Sequence, residues 1–223
     1  MSTEIVDYFK KNKYVVIRGF LDPNLANLMY HYCTTRVQQV DFKSQYAKAN
    51  YHGDWDGRFG DEQAPGSFNS YGDPMMDTML AASTEMIEKY TGLKLIAEYT
   101  YWRLYVKGEV LARHRDRESC EISTTLCLGY NTSNLSGEEY EGYDWPMFVE
   151  GQLIEGLDGI PIHMKPGDMI IYRGCEVDHW RDAFKGMNHA QMFMHYNDAD
   201  GPYKGRYDGR PLLGIPKLYQ SGN

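Results

Sequence analysis

From Leu93 to about Tyr196 the apolar residues recur at every second position in short runs, and Gly, Asn, Ser or Asp separates one run from the next. Side chains two residues apart share one face of a strand, so each run can bury one face and cannot settle as an amphipathic helix. Short strands at such intervals imply a β-sandwich or barrel. At 223 residues the chain fits one domain and can bury a sizeable core without staples.

The first third reads differently. Ile5, Val6 and Phe9 fall at helical spacing, and Lys13 to Leu21 reads as a short buried strand closed by Asp22-Pro23. Pro23 suits the start of a helix running from Asn24 to roughly Gln39, with Leu25, Leu28, Met29 and Tyr32 on one face. Asp77 to Tyr90 repeats the pattern with Met79, Leu80, Met86 and Ile87, and Thr91-Gly92 stops it. Between Phe42 and Pro74 no period survives, and turn formers alternate with the aromatics Trp55, Phe59, Phe68 and Tyr71. A loop of that length in a compact domain is functional or disordered, and its aromatics favour a lid or substrate-binding loop. His52 within it reads as a surface histidine. The expected fold is mostly β with α: a double-stranded β-helix, the jelly roll of cupin-like proteins, with the N-terminal helices packed outside. Residues 1–223 form one domain in this reading, with helical support and the substrate loop in 1–92, the jelly-roll core in 93–198 and a Gly-rich aromatic tail in 199–223.

A net charge of -8 argues against nucleic acid or an anionic membrane as the main partner, because both need clustered Lys and Arg. Cys33, Cys120, Cys127 and Cys175 show no C-x-x-C spacing, so they read as buried thiols in a reducing compartment. The N-terminal stretch lacks the apolar core of a signal peptide, and no apolar run is long enough to cross a bilayer, which makes a cytoplasmic protein the expectation.

His114 and Asp116 stand two residues apart at the end of a strand pattern, so an imidazole and a carboxylate can reach one point. The best third ligand is His179, after the apolar run that follows Gly167-Asp168; His163, between Pro161 and Pro166, ranks behind it. Two His and one carboxylate with open positions is the ligand set of non-haem Fe(II) oxygenases. The alternative is a solvated His and Asp in the charged run His114-Arg-Asp-Arg-Glu118.

Arg103 to Gly108, then His114 and Asp116, then Pro166-Gly-Asp-Met-Ile-Ile-Tyr172 followed by His179, resembles the prolyl-hydroxylase-like branch of the 2-oxoglutarate and Fe(II)-dependent dioxygenases. The runs His114 to Ser123 and His189 to Tyr196 look like a phage and bacterial subgroup of it. The resemblance implies Fe(II) on His114, Asp116 and His179, with 2-oxoglutarate and O2 as cosubstrates. It further implies hydroxylation of an unactivated C–H bond with release of succinate and CO2. A peptide or protein side chain is the substrate class it suggests, with a small metabolite or amino acid open.

In that family the far carboxylate of 2-oxoglutarate meets an Arg or Lys nine or ten residues beyond the distal His, and here those positions are Asn188 and His189. His189 aided by Gln191, or the cation Arg181, are the substitutes, and Tyr105 matches the family tyrosine that donates to the cosubstrate. Arg103 shares the strand face of Tyr105, while Arg115 and Arg117 should point away from the metal. The departure at 188 and 189 leaves two rivals: a cupin-type metal enzyme that does not use 2-oxoglutarate, and a jelly-roll binding module without catalysis.

Overall fold

The computed structural model describes residues 3–46, 56–137, 143–150 and 159–205. His52, Trp55 and the tail beyond residue 205 lie outside the described residues. Three helices, α1 (Thr3–Asn12), α2 (Pro23–Tyr46) and α3 (Pro74–Thr91), flank the strands. The strands are β1 (Tyr14–Ile17), β2 (Arg58–Phe59), β3 (Phe68–Tyr71), β4 (Leu95–Val106), β5 (Leu111–His114), β6 (Ile122–Asn131), β7 (Met147–Val149), β8 (Ile160–Ile162), β9 (Met169–Arg173), β10 (His179–Arg181) and β11 (Asn188–Asp198). Among the described residues they form a seven-stranded sheet in the order β1-β9-β6-β11-β4-β3-β2 and a four-stranded sheet in the order β5-β10-β7-β8. Every pairing among the described residues is antiparallel. The architecture is the expected jelly roll.

The period-two pattern divides the large sheet into two faces. Ala190, Met192, Met194 and Tyr196 of β11 join Trp102 and Leu104 of β4, Ile122 and Leu126 of β6, and the inner faces of the helices in one apolar core. Tyr99, Tyr101, Arg103 and Tyr105 alternate with those core positions on β4 and take the opposite face, inside the roll. One end of the interior is closed by Met147, Val149, Ile162 and Ile170.

The sheet recruits strands from outside 93–198, since β1 pairs with β9 and β3 with β4. All four residues of β3 are buried, so the strand shows no alternation of apolar and polar positions. Helix α2 runs on past Gln39 because Val40 is buried and Arg36 and Lys43 both bond the Asp56 carboxylate. Helix α3 begins ahead of Asp77 because Asp73 caps it by accepting from the Met75 N–H at 2.9 Å, and Gly92 ends it at φ 71°, where a side chain would be strained.

Asp73 also accepts from the Tyr32 hydroxyl at 2.7 Å, so one buried carboxylate joins α2 to α3. Asp73→Ala removes the cap and strands that hydroxyl, and should lower unfolding stability by about 2 kcal/mol. Thermal melting would register it as a midpoint drop of roughly 4–8 °C.

Candidate metal centre

His114 ends β5 and His179 begins β10, and the two are direct partners across the ladder. Direct partners in an antiparallel pair project from the same face, so the rings meet with centroids 4.2 Å apart. Each ring is oriented by its own strand: His114 Nδ1 donates to the Ala112 carbonyl at 2.7 Å and His179 Nδ1 to the Val177 carbonyl at 3.0 Å. A carbonyl only accepts, so the Nδ1 atoms carry the protons and both Nε2 lone pairs are left for a ligand. Burial lowers the pKa of His179, against the opposing pull of Asp116, and favours the neutral imidazole that a metal needs.

Asp116 Oδ1 lies 3.7 Å from His114 Nε2 and 3.6 Å from His179 Nε2. The ligating atoms all fall within 4.8 Å of one another, a span one cation can bridge, and His163 pairs instead with Asp144. The other oxygen, Oδ2, accepts from Ser123 Oγ at 2.7 Å, and the Asp116 N–H donates to the Gly174 carbonyl at 2.9 Å. Gly174 sits so close that a Cβ there would come within 2.4 Å of both Asp116 Oδ2 and the Cys120 carbonyl. Gly174→Ala should therefore displace the carboxylate and weaken Fe(II) affinity about tenfold or more, readable by anaerobic metal titration of folded protein.

The triad opens onto a cavity of about 850 Å³ bordered by Tyr105, Arg181, Arg103 and Asp61, among others. Arg181 is fully buried two residues beyond His179, on the same strand face. Its guanidinium lies 4.7 Å from the Trp145 ring centroid and Nη1 donates to the Trp145 carbonyl, while Nη2 has no partner among the described residues. A buried donor without an acceptor is expensive, and at a cavity wall it marks a place for an anion. Tyr105 Oη accepts from Arg103 Nη1 at 2.7 Å, which leaves its own proton for another acceptor.

His189 and Gln191 lie elsewhere. His189 Nε2 is in hydrogen-bond contact with the Gln191 side chain and 3.5 Å from Cys127 Sγ, packed among Tyr130, Trp145 and Phe184, and neither residue borders the cavity. Burial first, and then the Arg181 charge, push the His189 pKa well below the ordinary 6.5, so it stays neutral. A histidine protonated in the unfolded chain but not in the native one makes stability fall as pH drops below 6.5. His189→Gln should flatten that decline, which denaturant melts between about pH 7.5 and about pH 5 would show.

Asp61 is a wall residue that no local pattern in the sequence announces. Its Oδ1 accepts from the Gln63 and Ala64 N–H groups, and its Oδ2 from the Tyr101 hydroxyl at 2.6 Å and from Arg103 Nε at 3.0 Å and Nη2 at 2.5 Å. Burial opposes its ionisation, yet Arg103 and Tyr101 hold its pKa below the usual carboxylate value. Arg115 bonds Asp178 at 2.5 Å and Arg117 lies over the Tyr99 ring, and both border the cavity.

No family profile and no curated protein matches the chain. Solved structures do. A Pseudomonas putida prolyl-4-hydroxylase superposes with a TM-score of 0.62 at 18% identity, over 87% of this chain and 97% of that one. The non-heme alpha ketoglutarate dependent epimerase SnoN from nogalamycin biosynthesis gives a TM-score of 0.62 at 13% identity, over 96% and 90%. HygX from Streptomyces hygroscopicus, with nickel and 2-oxoglutarate bound, gives 0.57 at 12% identity, over 90% and 88%. The chain has the fold of the 2-oxoglutarate and Fe(II)-dependent oxygenases. Within that oxygenase fold, His114, Asp116 and His179 form a triad compatible with Fe(II). Among the described residues no helix is long and apolar enough to cross a membrane.

Proposed function

We propose that the protein is an Fe(II)- and 2-oxoglutarate-dependent oxygenase that hydroxylates an unactivated C–H bond in a reducing compartment. The observation that carries this reading is the placement of the His114, Asp116 and His179 triad and the unpaired Nη2 of Arg181 on one cavity. When bound, Fe(II), 2-oxoglutarate and O2 supply the oxidising chemistry, with succinate and CO2 as coproducts.

The protein's part is to hold and to exclude. His114, Asp116 and His179 are the metal ligands, fixed by their strand carbonyls, by Ser123 and by the Gly174 backbone. Arg181 offers the far carboxylate of 2-oxoglutarate a charge-assisted donor, and Tyr105 adds its free proton. His189 and Gln191 support that wall from behind, with His189 neutral and packed against Trp145. A cavity of about 850 Å³ exceeds what the cosubstrate needs and leaves room for a small molecule or a protruding peptide side chain. The prolyl hydroxylase among the similar folds favours the peptide.

The rival metal enzyme without 2-oxoglutarate drew its support from the absence of a cation at 188 and 189. Arg181 supplies that charge from β10, which favours the cosubstrate-dependent reading. Anaerobic titration of the Fe(II) protein with 2-oxoglutarate should develop the weak visible charge-transfer band of a chelated keto acid; folded protein that shows no band at saturation refutes the proposal. Arg181→Met should raise the 2-oxoglutarate dissociation constant by about 2 kcal/mol, roughly thirtyfold, while Fe(II) affinity stays near wild type.

A further inference from the structure

Asp116 shows a single oxygen to the two imidazoles, and the other oxygen points at Ser123. Ser123 Oγ is fully buried and meets Asp116 Oδ2 at 2.7 Å, His195 Nδ1 at 3.0 Å and the Cys120 carbonyl at 3.1 Å, with the Tyr172 hydroxyl as a further partner. A hydroxyl has one proton to give. Two of the neighbours can only accept, and the charged one is also the nearer, so the proton belongs to Asp116. His195 must then be the donor, through Nδ1–H, because the reverse assignment would set the serine lone pairs against the carboxylate at 2.7 Å.

From this we infer that Ser123 and His195 form a positioning relay for the metal-binding carboxylate, with His195 Nδ1–H donating to Ser123 Oγ and Ser123 O–H donating to Asp116 Oδ2. Register builds the relay into the large sheet. His195 on β11 lies directly opposite Ser123 on β6 and opposite Tyr99 on β4, whose ring packs on the imidazole at 4.5 Å between centroids. His195 also borders the cavity. The relay therefore connects the cavity wall to the one carboxylate of the triad, and it holds Asp116 to one-oxygen ligation by engaging the second oxygen. Neither residue is a metal ligand; both act through Asp116.

The inference rests on the metal-centre reading, and Co(II) titration separates the two. Co(II) serves as the probe because its visible bands report ligand geometry without turnover. Ser123→Ala should weaken Co(II) binding about tenfold or more and alter the band pattern, with circular dichroism unchanged. His195→Phe should follow it in the same direction, whereas His195→Asn, whose amide N–H can take the Nδ1 position, should recover most of the affinity and the wild-type spectrum. Should Ser123→Ala fail to fold, the two His195 variants decide. Wild-type affinity and bands in Ser123→Ala and His195→Phe, with binding lost in Asp116→Ala, would overturn the relay and leave the metal centre standing. Equal weakening in His195→Asn and His195→Phe would also overturn it, since the donor would then be irrelevant. Asp116→Ala that binds Co(II) like wild type would instead remove the metal centre, and the relay with it.

Discussion

The site hangs on one ladder contact, the direct pairing of His114 with His179 between two short strands. A slip of one residue would turn one imidazole to the opposite face of the sheet, since side chains alternate along a strand. Short strands specify their register poorly by themselves. Here the second histidine's strand is also paired to β7, where His179 faces Val149 and Trp180 faces Phe148, and the Trp180 and Phe148 rings stack at 5.5 Å. Outside the roll, Arg113 and Arg115 both bond Asp178 and so tie β5 to the start of β10. These ion pairs are half-exposed and screened by solvent. Their effect is to fix register more than to add stability.

The interior of the roll is unusually polar for a buried space, and its charges are grouped so that each but one is answered. Arg103 and Asp61 neutralise each other beside Tyr101 and Tyr105. His189 avoids the problem by staying uncharged against Gln191. Arg181 is the exception: burial lowers its pKa, and one of its terminal nitrogens has no acceptor among the described residues. An interior that keeps a charged donor unanswered at a cavity wall has the polarity of a binding site and not of a packed core.

Much of this could be read from residue order alone. The convergence of His114 and Asp116 survives folding although β5 ends at His114, because the Gly174 carbonyl and Ser123 hold Asp116 just beyond the strand, and the alternation after Leu93 predicts which faces of β4 and β11 turn inward. His179 could be chosen over His163 because Pro161 and Pro166 set His163 at a strand edge near a turn. What stayed illegible depends on contacts between distant segments. Asp61, Ser123, Gly174 and His195 gain their importance from partners 42, 7, 58 and 72 residues away, and although Ser123 and His195 lie in runs that carry the family resemblance, no local pattern gives any of the four its role. The strands at 58–59 and 68–71 were hidden by burial on both faces or by shortness, and the extent of α2 by a helix end held through side chains beyond its apolar stripe.

The latch between Asp61 and Arg103 constrains how this molecule can drift. Loss of either partner would leave a lone buried charge, a defect of about 3–5 kcal/mol. The same guanidinium steadies the Tyr105 hydroxyl, and the same carboxylate ties down the chain at Gln63 and Ala64. A neutral intermediate at one position is thus worse than either the charged pair or a wholly apolar replacement. Positions 61 and 103 should consequently behave as one heritable unit, exchanged together or kept together, in any descendant that retains the shape of this interior.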